Sequence, residues 1–342
     1  MSSRRAFVRA LANAEFTRAD PEVEQHLLAL FDDDAIDWQH LARPAASLLL
    51  LDPELRESQL LHAFLRQTVN TSWRMEQRLL ALRARAVSPR LAESLARQAQ
   101  LNGVWGGEDG AGVATVREQY ERYPYPFWLS LDRPETTDDL RAEILIAGCG
   151  TGRDAIVLAL RHPRARVTAI DISASSLAYA SRKAAELRVP NIEFHQQDLL
   201  TLRDAQYDAI HSVGVLHHLP DPVAGLRALA ACLRDAGTMH IGVYSREARA
   251  WLREWRAIGG DAHTDDELRA ARRRILSAAG DRLPELENLD FFHLGHFRDT
   301  LYHPHELDLT RDDVEAMVRD AGLVADEIEV EGSMYMCRLR KR

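Results

Sequence analysis

The stretch ILIAGCGTGRDA, residues 144–155, decides the fold. It joins four apolar residues suited to a strand to three glycines, Gly148, Gly150 and Gly152, and then opens a helical run. Glycines placed between a strand and a helix allow unusual dihedral angles and let the backbone approach a ligand closely. The spacing is GxGxG. A dinucleotide fingerprint needs GxGxxG, and Arg153 stands where its last glycine would be, which disfavours an NAD-dependent oxidoreductase. No GKS or GKT follows, so the loop is not a P-loop.

Outward from this loop, short β-type runs alternate with helical patterns, the signature of a parallel sheet. The expected strands are Glu143–Ala147, Arg166–Asp171, Ile192–Gln197, Tyr207–Val213 and Thr238–Tyr244, with helices at Asp154–Arg161, Ser175–Leu187 and Pro222–Arg234. Residues 246–305 break the alternation and read as an arginine-rich helical insertion. A helix capped by Thr310 and ended by Gly322 then precedes two β-type runs, Ala325–Val330 and Met334–Leu339. Upstream, residues 1–102 carry apolar positions at helical spacing, as in Leu55, Leu60, Leu61, Phe64 and Leu65. The expected organisation is an N-terminal helical domain over 1–102, a glycine-rich linker over 103–114, and an α/β domain over 115–342 containing the 246–305 insertion on its substrate side.

Composition narrows the function. The 342 residues suffice for about two domains. With 46% hydrophobic and 28% charged residues, the chain is not of disordered type. The apolar run Ala45–Leu51 is far shorter than the roughly 20 residues of a bilayer span, so no membrane partner is expected. The start, MSSRRAFVRALANAEF, lacks an apolar signal core, and Cys149, Cys232 and Cys337 are few and scattered, so a reducing cytoplasm is expected. The net charge of −9 and the 16 basic against 21 acidic residues of 246–342 argue against nucleic acid as partner. The stretch DDELRAARRR, 265–274, reads as a solvated helix face, though a clustered arginine surface at Arg272–Arg274 would reopen that question. Lysine occurs only as Lys183 and Lys341, which leaves little room for Schiff-base chemistry.

Two aspartates extend the glycine-loop argument. Asp171 closes the second β-run, where a carboxylate accepts hydrogens from ribose hydroxyls, and Asp198 closes the third, suited to an adenine amino group. Each alone also reads as a helix N-cap. The ordered set is the stronger signal.

On AGCGTG (147–152), AIDIS (169–173), QDLL (197–200), YDAIHSVGVLHHLPDP (207–222) and LRDAGTMHIGVYS (233–245), the chain resembles the class I S-adenosylmethionine-dependent methyltransferases over roughly residues 115–340. QYERYPYPFW resembles a bacterial branch carrying a Tyr-Pro-Tyr-Pro tract upstream of the fold. The resemblance implies a Rossmann-like seven-stranded sheet whose last strand is antiparallel, S-adenosyl-L-methionine as cofactor, S-adenosyl-L-homocysteine as product, and no metal. It implies cofactor contacts from Gly148, Cys149, Gly150, Thr151, Gly152, Asp171, Ile172, Asp198, Leu199, Ser212, Val213, Gly214 and Tyr120. The acidic residue that many members carry two places before the first glycine is Ile146 here.

For catalysis the candidates are His217, His218 and Tyr125; the two histidines follow the fourth strand and read either as proton acceptors or as shapers of their loop. Tyr123, Trp128, Tyr244, Arg249, Tyr302 and His303 are candidates for the substrate side. The aromatic strip Tyr120–Trp128 reads as a lid over the cofactor or as a packing plug. HPH at 303–305 lacks a third ligand and reads as a polar turn rather than a metal site. The expected activity is methyl transfer to an unidentified small-molecule or protein acceptor. A catalytically inactive binding or scaffold protein and a tRNA-modifying methyltransferase are the alternatives.

Overall fold

The computed structural model describes residues 11, 14, 16–33, 35–102, 114–137, 140–203 and 205–342; the expected linker, but for residue 114, lies outside them. The helices are α1 Pro21–Phe31, α2 Ala42–Leu49, α3 Gln59–Gln67, α4 Trp73–Arg83, α5 Pro89–Asn102, α6 Val116–Arg122, α7 Arg153–Arg161, α8 Ala174–Glu186 and α9 Pro222–Ala231. After them come α10 Ala250–Gly259, α11 Asp265–Ala278, the short α12 Leu283–Leu286 and α13 Leu289–Phe292, α14 Leu294–Tyr302, and α15 Arg311–Asp320. The strands are β1 Glu143–Ala147, β2 Arg166–Asp171, β3 Ile192–Gln196, β4 Tyr207–Val213, β5 Leu233–Tyr244, β6 Leu323–Glu331 and β7 Met334–Lys341. Two compact units result, one of residues 1–111, 127–133 and 258–302, the other of 112–126, 134–257 and 303–342.

In the second unit all seven strands form one sheet in the order β3-β2-β1-β4-β5-β7-β6. The pairs β1·β2, β2·β3, β1·β4 and β4·β5 are parallel, and β7 runs antiparallel to both β5 and β6. β1 is buried along Ile144–Ala147, as a parallel strand covered on both faces must be, which explains its unbroken apolar run. Leu145, Ile210, Met239, Ile241 and Leu339 are almost or wholly without exposed surface and pack with Leu226 and Leu229 of α9 and Val314 of α15. Strand order reverses between β1 and β4, and a reversal of this kind opens a crevice at the carboxyl ends of those two strands.

Local chemistry sets the helix starts. Ser173 caps α8 through Ser176 N at 3.1 Å, Asp221 caps α9 through Ala224 N at 3.0 Å, and Thr310 with Asp313 forms a capping box on α15. The largest departure from expectation lies at α9 and β5. The helix expected to reach Arg234 stops at Ala231, and Leu233 instead pairs with Tyr207 across an irregularity in the β4·β5 register. β6 is an edge strand whose Glu327, Glu329 and Glu331 are open to solvent or nearly so.

The first unit is helical. Leu27, Leu41, Leu61, Phe64 and Leu65 have no exposed surface and centre its core. Residues 258–302, attached on sequence to the α/β domain, cluster instead with these helices. Arg272 of α11 pairs with Glu76 of α4 at 2.8 Å, Glu287 accepts from Trp73 N at 2.7 Å, and Asn102 Nδ2 donates to the Phe292 carbonyl. The stretch 265–274 is therefore not a solvated face throughout: Asp265, Leu268 and Ala271 are buried, and Arg274 is bound to the Gly259 carbonyl. Among the described residues no helix is long and apolar enough to cross a membrane. Replacing Phe64 by Ala deletes a ring with no exposed surface and is expected to cost about 3–5 kcal/mol. The check is a lower urea midpoint, at unchanged m-value, for the helical signal; a cost below about 1 kcal/mol would contradict this core.

Candidate active site

The glycine loop leaves β1 at the crevice. Gly150 has φ 52°, and a Cβ there would run into the Tyr125 carbonyl, so only glycine fits. Gly152 has φ 79° as the left-handed cap of α7, and a Cβ would lie 2.6 Å from Ala180 Cβ. Gly148 and Cys149 both donate backbone N–H to the Ile170 carbonyl, which pins the loop to the end of β2. Thr151 donates its N–H to the Tyr125 carbonyl at 3.0 Å and its hydroxyl to the Pro126 carbonyl at 2.6 Å. The aromatic tract is thus seated on the glycine loop through its backbone.

Asp171 stands at the carboxyl end of β2 with 9% of its surface exposed. Its Oδ2 accepts Gly150 N at 2.8 Å and its Oδ1 accepts Ser173 N at 2.9 Å. Each carboxylate oxygen has about two acceptor sites, so capacity remains beyond these backbone donors. Burial pushes its carboxyl above the usual range, against the pull of the backbone N–H groups. Ile172 follows it directly, and Ser173 donates its hydroxyl to the Tyr120 carbonyl at 3.0 Å. Asp198, after β3, accepts Leu200 N through Oδ1 at 2.9 Å, and no described residue donates to its Oδ2. Both aspartates are thus turn or cap residues and keep unused acceptor capacity. Leu199 beside Asp198 is buried.

On the β4 side, Ser212 is fully buried and donates its hydroxyl to the Ala147 carbonyl at 3.0 Å, Val213 is 38% exposed, and Gly214 donates to the Gly242 carbonyl. A 3₁₀ turn at Leu216–His218 places two buried histidines behind them. His217 stacks on Tyr244 with centroids 3.8 Å apart, and the Arg249 guanidinium lies 3.6 Å from the same ring centre. Two groups cannot share one face at that distance, so Tyr244 is sandwiched between them. His218 stacks on His303 at 3.8 Å, and Tyr120 meets His303 at 5.7 Å, His218 at 6.3 Å and Tyr125 at 6.5 Å. Burial, helped by His218, Arg249 and His303, pushes His217 well below the usual imidazole range. Burial likewise takes His218 down to about 4, partly offset by its bond to the His305 carbonyl. Both rings are neutral at pH 7.

Arg249 is 4% exposed and is held by Glu306 at 3.1 Å and Asp308 at 3.2 Å. Burial raises the Glu306 carboxyl despite that arginine. These two acids were not singled out on sequence, where their spacing around Leu307 is the one available signal. Glu121 was also missed; it caps α8 by accepting Ala174 N at 2.7 Å and Ser175 N at 3.0 Å.

Tyr123 is buried under Arg122, whose guanidinium is 5.4 Å from its ring centre. Trp128 and Tyr302 belong to the first unit, where the Tyr302 hydroxyl donates to the Gly260 carbonyl at 2.9 Å. Among the described residues no group of three or more His, Cys, Asp or Glu is placed to hold a metal.

Residues 144–237 match a family model described as a methyltransferase domain. An uncharacterized protein of Synechococcus sp. is 37% identical over 198 residues, which are 54% of this chain and 47% of that protein. Trans-aconitate 2-methyltransferase of Deinococcus radiodurans is 33% identical over 124 residues, 36% of this chain and 46% of the relative. Ubiquinone biosynthesis O-methyltransferase of Paracidovorax citrulli is 30% identical over 112 residues, 32% of this chain and 46% of the relative. The chain therefore spans about half the length of these curated relatives. Among solved structures, PKMT2 from Rickettsia typhi has a TM-score of 0.50 at 12% identity, covering 60% of this chain and 50% of that one, a likeness of fold. The seven-stranded sheet with its reversed last strand gives the second unit a Rossmann-like fold of the methyltransferase type, and its segment 144–237 is similar to a methyltransferase domain.

Proposed function

We propose that the protein is an S-adenosyl-L-methionine-dependent methyltransferase acting on a small-molecule or protein acceptor. The observation that carries this reading is the unused acceptor capacity of Asp171 and Asp198 at adjacent strand ends, above a glycine loop at the reversal of strand order. Those residues fit the cofactor: Asp171 would take the ribose hydroxyls and Asp198 Oδ2 the adenine amino group. The loop Gly148–Gly152 would approach the methionine moiety, with Ile172, Leu199, Ser212–Gly214 and Tyr120 around it. Bound S-adenosyl-L-methionine supplies an electrophilic methyl group and leaves as S-adenosyl-L-homocysteine.

The chain itself then has to orient an acceptor, exclude water and receive a proton. His217, His218 and Tyr125 are the residues proposed for that work, with Tyr123, Tyr244, Arg249 and His303 as substrate-side groups; Trp128 and Tyr302, also candidates on sequence, lie in the first unit. Nucleic acid is a poor fit, since two of the three arginines at 272–274 are occupied by Glu76 and by backbone carbonyls. Cys149, Cys232 and Cys337 are buried and free, which suits a cytoplasmic setting.

Calorimetry tests the cofactor site. Asp171→Ala is expected to weaken S-adenosylhomocysteine binding at least about a hundredfold, as loss of two charge-assisted hydrogen bonds requires. Wild-type protein that fails to bind at high micromolar ligand, or a variant that binds equally well, would sink the reading. The buried histidines predict acid sensitivity. His218 falls from 6.5 to about 4 on folding, so its contribution is intact above pH 6.5 and is lost as pH falls from there towards 4. Protonation of the unfolded state then removes roughly 3 kcal/mol for this ring alone. Urea midpoints between pH 5 and 8 check this, and His218→Asn is expected to flatten that slope.

A further inference from the structure

His217 and His218 are neighbours in sequence, yet the backbone gives them opposite tautomers. A main-chain N–H can only donate, so the 3.2 Å bond from Tyr244 N makes His217 Nδ1 the acceptor and puts the ring proton on Nε2. That Nε2–H is buried and has no hydrogen-bond partner among the described residues. A carbonyl can only accept, so the 2.9 Å bond to the His305 oxygen makes His218 Nδ1 the donor and leaves a lone pair on Nε2. No described residue donates to that nitrogen. The ring centroids lie 4.2 Å apart. Burial keeps both rings neutral, so these tautomers hold at physiological pH.

The groups packed around the pair do not compete for the role of proton acceptor. Tyr244 of β5 and Tyr120 of α6 present aromatic rings, and His303 accepts His305 N at its Nδ1. Glu306 and Asp308 are engaged by Arg249. A buried N–H without a partner costs about 1–3 kcal/mol, a penalty that a bound oxygen removes.

We propose that His218 Nε2 takes the proton of the methyl acceptor, while His217 Nε2–H is a fixed donor that positions an oxygen of the same molecule. The acceptor atom therefore arrives carrying its hydrogen, as a hydroxyl does and a carboxylate does not. The hydroxyl oxygen's lone pair forms the bond to the methyl carbon as the carbon–sulfur bond breaks. That bond's electron pair leaves with sulfur, giving the thioether S-adenosylhomocysteine, and the hydroxyl proton passes to His218 Nε2. The oxygen becomes strongly acidic only as the new bond forms, so a weakly basic imidazole suffices. This inference rests on the methyltransferase reading.

The test uses the full chain labelled with ¹⁵N-histidine and saturated with S-adenosylhomocysteine. Long-range ¹H–¹⁵N correlations are expected to place the proton of His217 on Nε2 and that of His218 on Nδ1. Millimolar phenol, which carries a hydroxyl, is expected to shift His218 Nε2, whereas benzoate leaves it in place. His218→Asn retains a donor to the His305 carbonyl and is expected to abolish the phenol response. His217→Asn retains an acceptor for Tyr244 N and is expected to weaken phenol binding severalfold, with the His218 tautomer unchanged. A reversed tautomer at either ring, no phenol shift, an equal benzoate shift at His218, or full phenol affinity in His217→Asn overturns the proposal. Calorimetry separates this from failure of the methyltransferase reading, which is failure of S-adenosylhomocysteine to bind at all.

Discussion

One carboxylate holds the crevice in shape. Asp171 accepts the N–H of Gly150 on one oxygen and that of Ser173 on the other, so a single side chain joins the glycine loop after β1 to the first turn of α8. The loop cannot hold left-handed angles at three positions without partners for its backbone, and Asp171, the Ile170 carbonyl and the Tyr125 carbonyl supply them. Burial opposes the charge of this carboxylate while three backbone N–H groups favour it. A further donor brought by a ligand would tip that balance towards the ionised form. Ligand binding and order in the loop are thus expressions of the same set of hydrogen bonds.

A second constraint is the exclusion of charge from the wall behind β4. His217, His218, Tyr244 and His303 are each at most 5% exposed, and their rings stack rather than point to solvent. An imidazolium in such a wall would lose its hydration with no carboxylate free to replace it, because Arg249 has claimed both Glu306 and Asp308. The wall is therefore neutral before methyl transfer, beside a crevice that would hold a cationic sulfonium, and a proton taken by His218 would arrive as that sulfonium charge is lost. Its hydrogen-bonding pattern is set by backbone groups of β5 and of the 303–309 segment rather than by other side chains.

Much of the α/β unit was legible because its elements follow strong local rules. β1, β2 and β4 have the bounds their apolar runs imply, and the caps at Asp221 and Thr310 mark helices that form. The start of β5 was not legible, since LRDAG has no periodicity to set it apart from the helix before it and its pairing with Tyr207 is a long-range event. Nor was the clustering of 258–302 with the N-terminal helices, which depends on ion pairs such as Arg272–Glu76 between residues almost two hundred positions apart. At the crevice, residue types were readable but hydrogen-bond roles were not. His217 and His218 look equivalent in VLHHLPDP, and only the backbone groups opposite them make one a donor and the other an acceptor.

The acidic edge of the sheet has a consequence of its own. Among the described residues β6 has a sheet neighbour on one side alone, and an unpaired strand edge is a template for another chain. Glu327, Glu329 and Glu331 recur at every second residue, so they project from one face of that strand and would confront their own copies in a symmetric pairing. At neutral pH this repulsion guards a sheet whose other features invite extension.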